Sequence, residues 1–157
     1  MEKVKVVDGL FIGCPEGFHV MDREELKEME FIASGPGIVM RDPERRMIVS
    51  VGVQKLNGFS ALMLNQKELA ENMEKRIADS MQFNGYQFRT MLERKAGADK
   101  ANGLSYEYTA KETEMYAESF AVKKGKNVTY YHMYSRNCEK DDNIAVWEEI
   151  LGSVETK

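Results

Sequence analysis

Histidine and cysteine, the residues that most often bind metals, are scarce in this sequence. Each occurs only twice in the 157 residues. Cys14 and Cys138 have no CxxC spacing, and no histidine cluster accompanies them, so the sequence indicates neither a zinc site nor a redox motif. We expect two free thiols, because disulfides are rare in reducing compartments. No cofactor and no metal are predicted.

Long apolar runs are also absent. No run of 18 apolar residues occurs, so we expect no transmembrane helix and no membrane partner. The apolar core of the first fifteen residues is too short for a signal peptide. If Met1 is the native start, the prediction is a cytoplasmic protein, and an exported one only if a leader has been trimmed.

Excess positive charge and a phosphate-binding loop are lacking as well. The formal net charge is −4, which disfavours a nucleic-acid partner for the surface as a whole. The glycine-containing run at residues 34–38 lacks the lysine and the following helix that a phosphate loop needs. With 43% hydrophobic residues, the chain suits a single domain over residues 1–157 with one core.

The most informative stretch that is present covers residues 104–135. Its segments LSYEYTA and VTYYHMYS carry aromatic residues at every second position, with EMYAESFAV between them. This alternation is typical of strands, and the short links predict an antiparallel meander. An amphipathic helix over 142–153 follows, with Trp147, Ile150 and Leu151 at helical spacing. The predicted fold class is α+β, an antiparallel sheet covered by helices.

The first half of the chain predicts two hairpins. Asp8-Gly9 lies between two apolar runs, which is a strong signal for a tight turn. A second hairpin is expected from residues 38–40 and 47–53 around Asp42. The polar run at 95–102 is interpreted as a loop.

Two helices are predicted from their N-terminal capping residues. Asp22 and Glu25 have the spacing of a capping box, and the apolar pattern indicates a helix over 22–33. Asn65 with Glu68 begins the clearest helix of the chain, which we expect to end before Asn84-Gly85.

Four segments together resemble the PsbP-like superfamily. They are the turn PEGF at 15–18, the valine-rich strand at 47–53, the strand at 103–108 and the helix end WEEILGS at 147–153. This superfamily includes the photosystem lumenal protein and the yeast Ran-binding Mog protein. The resemblance implies an antiparallel sheet between helices, and a function in binding partners rather than in catalysis. No motif specific to either subgroup is present, so none of their functional residues carries over.

His132 is the candidate with the most chemical potential. It shares a predicted strand face with Tyr130 and Tyr134, and a histidine titrates near neutral pH, so a general base is conceivable there. The spacing places no Ser, Cys or Asp partner beside it. We therefore interpret His132 as a partly exposed sheet residue, and no catalytic residue is predicted.

The tyrosines of the meander have two interpretations. Tyr116 and Tyr131 are expected to be exposed and to form a binding surface, since aromatic residues are enriched in interface hot spots. The others are interpreted as core residues with hydroxyls at the sheet edge. These are Tyr106, Tyr108, Tyr130 and Tyr134.

Three functional hypotheses remain open at this point. The first is a non-catalytic domain that binds an unknown protein partner through a sheet face or a groove between sheet and helices. The second is a small-molecule carrier or enzyme with a pocket lined by Tyr106, Tyr108, Tyr130, His132 and Tyr134. The third is a homodimer built on sheet faces. A deep pocket holding His132 and a carboxylate would favour an enzyme, whereas a flat aromatic patch would favour a protein partner.

Overall fold

A computed structural model describes residues 1–28 and 36–157. In chain order the strands are β1 (Glu2–Val7), β2 (Leu10–Cys14), β3 (His19–Val20), β4 (Gly37–Asp42), β5 (Met47–Lys55), β6 (Gln87–Ala96), β7 (Asp99–Ala110), β8 (Thr113–Lys124), β9 (Asn127–Arg136) and β10 (Glu155–Thr156). The helices are α1 (Arg23–Glu28), α2 (Gly58–Met63), α3 (Gln66–Ser80) and α4 (Lys140–Gly152), and a 3-10 turn at Asn137–Glu139 precedes α4.

The strands form two antiparallel sheets. The smaller has the order β1-β2-β10, and the larger has the order β3-β4-β5-β9-β8-β7-β6. Strands β7 to β9 are the predicted meander, and β6 extends it by one strand, so that each of the four pairs with its neighbour in sequence. The pairing of β5 with β9 joins the first half of the chain to this meander. The α+β fold class is confirmed.

Local sequence signals explain most of these elements. Gly9 has φ +83° in the turn between β1 and β2, a conformation that glycine adopts without steric cost. The side chain of Asn65 accepts a hydrogen bond from the backbone N–H of Glu68 at 2.9 Å, as an N-cap should. Asp22 caps α1 through the N–H of Glu25 at 2.9 Å. The later part of the predicted early helix, residues 29–33, lies outside the described residues.

The prediction of a loop at 95–102 is wrong. β6 continues to Ala96 and β7 begins at Asp99, so the connection is a two-residue turn that starts at Gly97, with φ +63°. Lys95 and Lys100 are paired across the two strands. Polar side chains that face solvent do not prevent strand pairing, because the backbone supplies the ladder of hydrogen bonds.

The short helix α2 is not among the elements that the sequence predicts. Asn57 accepts a hydrogen bond from the N–H of Ser60 at 2.7 Å and so begins α2. This helix is six residues long, too short for its apolar spacing to be distinguished from a loop in the sequence.

The terminal helix covers one face of the larger sheet. Trp147, Ile150 and Leu151 of α4 are buried, with exposed fractions of at most 1%. The Trp147 ring lies 6.4 Å from the ring of Phe120 on β8, measured between centroids. Burial of Trp147 against the sheet, as the helical spacing predicts, is confirmed.

A carboxylate is buried beneath this helix. Glu118 has no exposed surface. It accepts hydrogen bonds from Arg94 Nε at 2.6 Å and Nη2 at 2.9 Å, from Tyr116 Oη at 2.6 Å and from Trp147 Nε1 at 3.1 Å. These bonds offset the cost of removing the charge from water, and they connect β6, β8 and α4.

The predicted exposure of Tyr116 and Tyr131 is wrong. Their exposed fractions are 8% and 2%. Both lie opposite the tyrosines that we interpreted as core, as the alternation requires, but that opposite face is itself covered. Tyr116 donates its hydroxyl proton to Glu118, and Tyr131 belongs to the same apolar cluster as Trp147. They cannot form an exposed aromatic surface.

Truncating Trp147 to alanine should lower the free energy of unfolding by about 3 to 5 kcal/mol, as for other large aromatic residues in cores. The change removes the ring that packs on Phe120 and one hydrogen bond to Glu118. Urea unfolding followed by circular dichroism would measure the loss. A folded variant with an unchanged midpoint would contradict the packing of α4 described above.

Arg94→Met should cost about 3 to 5 kcal/mol, because it leaves the Glu118 carboxylate buried without its cation. Arg89→Met is the matched control on the same strand. Arg89 pairs with Glu107 and its side chain is 48% exposed, so its loss should cost less than about 1 kcal/mol. Equal losses in the two variants, measured by urea unfolding, would contradict the special role of Glu118.

Candidate functional site

A groove lies between α3 and the larger sheet, on the face opposite α4. The helix packs on β7 and β8 and leaves part of β4, β5 and β9 uncovered beside it. The space has a volume of about 820 Å³. We call it the α3 groove, and its lining includes Ser50, Arg76, Ile77, Tyr130, His132 and Tyr134.

The floor of the groove is a row of three rings on β9. Tyr130, His132 and Tyr134 alternate along the strand and therefore face the same way. Their neighbouring centroids are 6.4 and 6.3 Å apart, with interplanar angles of 13° and 19°. The adjacent strand β5 pairs Gly52 with Tyr130 and Ser50 with His132. These small residues leave room beside the rings, which explains why a groove exists here.

The shared face of His132 and its flanking tyrosines is confirmed, and the structure adds a partner that sequence spacing did not reveal. Ser119 Oγ lies 2.6 Å from His132 Nδ1, and Ser119 itself has no exposed surface. The two residues are cross-strand partners in the β8–β9 hairpin. The hairpin turns at Gly125, and counting residues outward from this turn along both strands would have predicted that Ser119 and His132 lie opposite each other.

A polar network continues below the rings. The Tyr106 hydroxyl lies close to the side chains of Ser119 and Tyr134. Since Ser119 occupies Nδ1 of His132, Nε2 is the ring nitrogen left to interact with a molecule in the groove. Hydrogen-bond partners on one side of the ring fix its orientation, so Nε2 is held in place.

The floor is uncharged at neutral pH. Burial and the nearby Arg76 guanidinium lower the pKa of His132 from 6.5 to about 4. Burial raises the pKa of Tyr106, Tyr108 and Tyr134 above the ordinary tyrosine value. Each of these side chains is therefore neutral near pH 7.

The rim of the groove carries positive charge. Of the described residues that line it, Arg76 and Lys55 are charged, and none is aspartate or glutamate. The Arg76 guanidinium lies 5.8 Å from the centroid of the Tyr130 ring, a cation–π distance. Sequence reasoning missed both cations, because neither their type nor their spacing distinguishes them from ordinary surface residues.

The predicted site residues thus fall into three groups. Tyr130, His132 and Tyr134 line the groove. Tyr106 and Tyr108 belong to the apolar cluster that packs against α3 behind it. The remaining two, Tyr116 and Tyr131, lie on the opposite face of the sheet. The binding roles of the first five remain predictions.

Other chemical features of the described part of the chain are sparse. Cys14 and Cys138 are free thiols. Residues 1–28 and 36–157 contain no group of three or more His, Cys, Asp or Glu side chains arranged to hold a metal ion. Within the same ranges, every helix is too short or too polar to cross a bilayer.

Comparison with known proteins identifies the fold. The sequence matches no protein-family model and no curated protein. Among solved structures, PsbP (CyanoP) from Synechocystis sp. PCC 6803 is similar with a TM-score of 0.65 and 15% identity, over 96% of this chain and 88% of that one. LpqN, described as involved in cell envelope biogenesis of Mycobacterium tuberculosis, gives a TM-score of 0.59 and 9% identity, over 99% and 90%.

A mutant of the protein Mog1 gives a TM-score of 0.54 and 10% identity, over 99% of this chain and 96% of that one. The chain therefore has a PsbP-like fold, as the sequence motifs predicted. At such low identity the likeness shows the fold alone.

The depressed pKa of His132 should make stability depend on pH. The unfolded state gains a proton near pH 6.5, while the folded state does so only near pH 4. Stability should therefore be full above about pH 7 and decline as the pH falls through this window, by about 2 kcal/mol at pH 4.5. Urea unfolding at a series of pH values would measure the decline.

His132→Gln is the control, since it keeps His19 and all carboxylates. The variant should lose less stability between pH 7 and 4.5 than the unaltered protein. Parallel curves for the two proteins would contradict a His132 that is neutral in the folded state down to about pH 4.

Proposed function

We propose that the protein is a non-catalytic binding domain whose ligand lies in the α3 groove. The observation that carries this proposal is the groove itself, about 820 Å³ in volume. Ligand sites in proteins are clefts of about 300 to 1,000 Å³ with mainly apolar and aromatic walls and a few placed polar groups. Ile77 and the rings of β9 supply the apolar part, and Ser50, Arg76 and His132 supply the polar groups.

The arrangement around His132 supports binding over catalysis. A serine nucleophile must be reached by its substrate, whereas Ser119 has no exposed surface. None of the described residues that line the groove is a carboxylate, so no acid orients His132 as a general base from within it. A pKa near 4 also makes His132 a weak base at neutral pH.

A protein partner is the second candidate, supported by a different surface. Phe59, Leu62 and Met63 of α2 have exposed fractions of 74%, 84% and 58%. Large exposed apolar side chains grouped on one element are typical of protein interaction sites. This short helix is a better candidate for a partner surface than Tyr116 and Tyr131. A homodimer built on sheet faces stays a prediction.

The groove proposal is tested by locating bound small molecules. A fragment library would be screened by ligand-observed NMR, and each hit would be mapped by changes in backbone amide signals. The expected result is that hits shift the signals of Ser50, Arg76 and His132. Ser50→Phe, which places a ring beside His132, should abolish these shifts because it fills the groove.

Thr90→Phe is the matched control, since Thr90 lies on the exposed edge strand β6. It should leave hit binding unchanged. Hits that shift only residues of α2, or that bind Ser50→Phe as well as the unaltered protein, would overturn the proposal.

A further inference from the structure

Arg76 lacks a carboxylate partner among the described residues, unlike half of the eight arginines of this protein. Its guanidinium lies over the face of Tyr130 at 5.8 Å. By contrast, four other arginines each form an ion pair with Asp or Glu, namely Arg45, Arg46, Arg89 and Arg94. A cation–π contact uses no acceptor oxygen, so the guanidinium N–H groups can still donate to a planar anion.

Among the described residues, neither of the acids nearest to Arg76 on α3, Glu74 and Asp79, forms an ion pair with it. Glu74, two residues earlier on α3, accepts the hydroxyl proton of Tyr86 at 2.8 Å. The second cation of the groove, Lys55, forms no ion pair with a described residue either. The lining described above contains no carboxylate, so the charge of the groove is complementary to an anion.

The rings specify the rest of the ligand. Tyr130, His132 and Tyr134 are nearly parallel and more than 6 Å apart, and the space beside them on β5 is bordered by Gly52 and Ser50. Aromatic rings associate at centroid distances of about 4.5 to 7 Å in offset or tilted geometry. An aromatic ligand in this space can contact the row and hydrogen-bond to His132 Nε2.

We propose that the α3 groove binds molecules that combine an aromatic ring with an anionic group, the anion at Arg76 and Lys55 and the ring against Tyr130 and His132. This inference rests on the proposed function and names the ligand class. A neutral ligand would leave the two cations partly desolvated without a partner, and a cationic ligand would be repelled. Among ligands of nearly the same shape, the groove should therefore bind the anionic ones most tightly.

Two fluorescent probes share an aromatic frame and differ in charge. 8-Anilinonaphthalene-1-sulfonate carries an anion on an aromatic frame, and N-phenyl-1-naphthylamine has the same frame without the sulfonate. We expect the sulfonate probe to bind the unaltered protein more tightly than the neutral probe. Arg76→Gln should weaken the sulfonate probe about tenfold or more, as for the loss of a charged hydrogen bond, and the neutral probe less than about twofold.

Lys75→Gln is the matched control. Lys75 precedes Arg76 on α3, is exposed, and does not line the groove. It removes the same charge from the same helix and should change the binding of neither probe. Circular dichroism would verify that each variant is folded, which is expected because Arg76 is exposed.

The Ser50→Phe variant distinguishes a failure of the anion preference from a failure of the groove as a binding site. If both probes bind with equal affinity and both are lost in Ser50→Phe, the groove binds ligands but the preference for anions is overturned. An equal effect of Lys75→Gln and Arg76→Gln also overturns the inference. If neither probe responds to Ser50→Phe, the groove is not the site, and the proposed function fails with the inference.

Discussion

The buried carboxylate of Glu118 is the constraint on which the packing of this protein depends. A charge without exposed surface is strongly unfavourable unless cationic and hydrogen-bonding partners surround it. Here the partners come from three separate elements: Arg94 on β6, Tyr116 on β8 and Trp147 on α4. The bonds fix the lateral position of the terminal helix on the sheet, which apolar contacts alone specify less sharply because they are not directional.

The two faces of strand β8, which carries Glu118, differ in how completely they are covered. Glu118 points to the face that α4 closes, and Ser119, the next residue, points to the face that α3 covers only in part. On the closed face the Glu118 carboxylate is hydrogen-bonded and has no exposed surface. On the other face Ser119 supports His132 from below, while the small residues of β5 leave open space above. The groove that we propose as a ligand site therefore lies on the open face of the sheet, with a packed face behind it.

Local patterns predicted much of this arrangement. The alternation of Tyr130, His132 and Tyr134 gave their common face, and helical spacing identified the burial of Trp147. The solvent exposure of a side chain could not be predicted from such local patterns. Tyr116 and Tyr131 face away from that row, but whether a sheet face meets water depends on where α4 packs, which is a long-range property. For the same reason Arg76 became part of the site only through the position of α3. The polar residues between 95 and 102 misled the prediction because a strand edge tolerates lysine as readily as a loop does.

The pairing of β5 with β9 has a consequence for how cooperatively the chain folds. This seam joins Met47 to Ser135 and Lys55 to Asn127, and so encloses a loop from residue 56 to residue 126. Every other described strand pair of the larger sheet links neighbours in sequence, so the β5–β9 pairing carries a larger loss of chain entropy than they do. The α3 groove spans it, with Ser50 on one side and His132 on the other. A molecule held there contacts both halves of the chain at once, and its binding energy adds directly to the association of two segments that are distant in sequence.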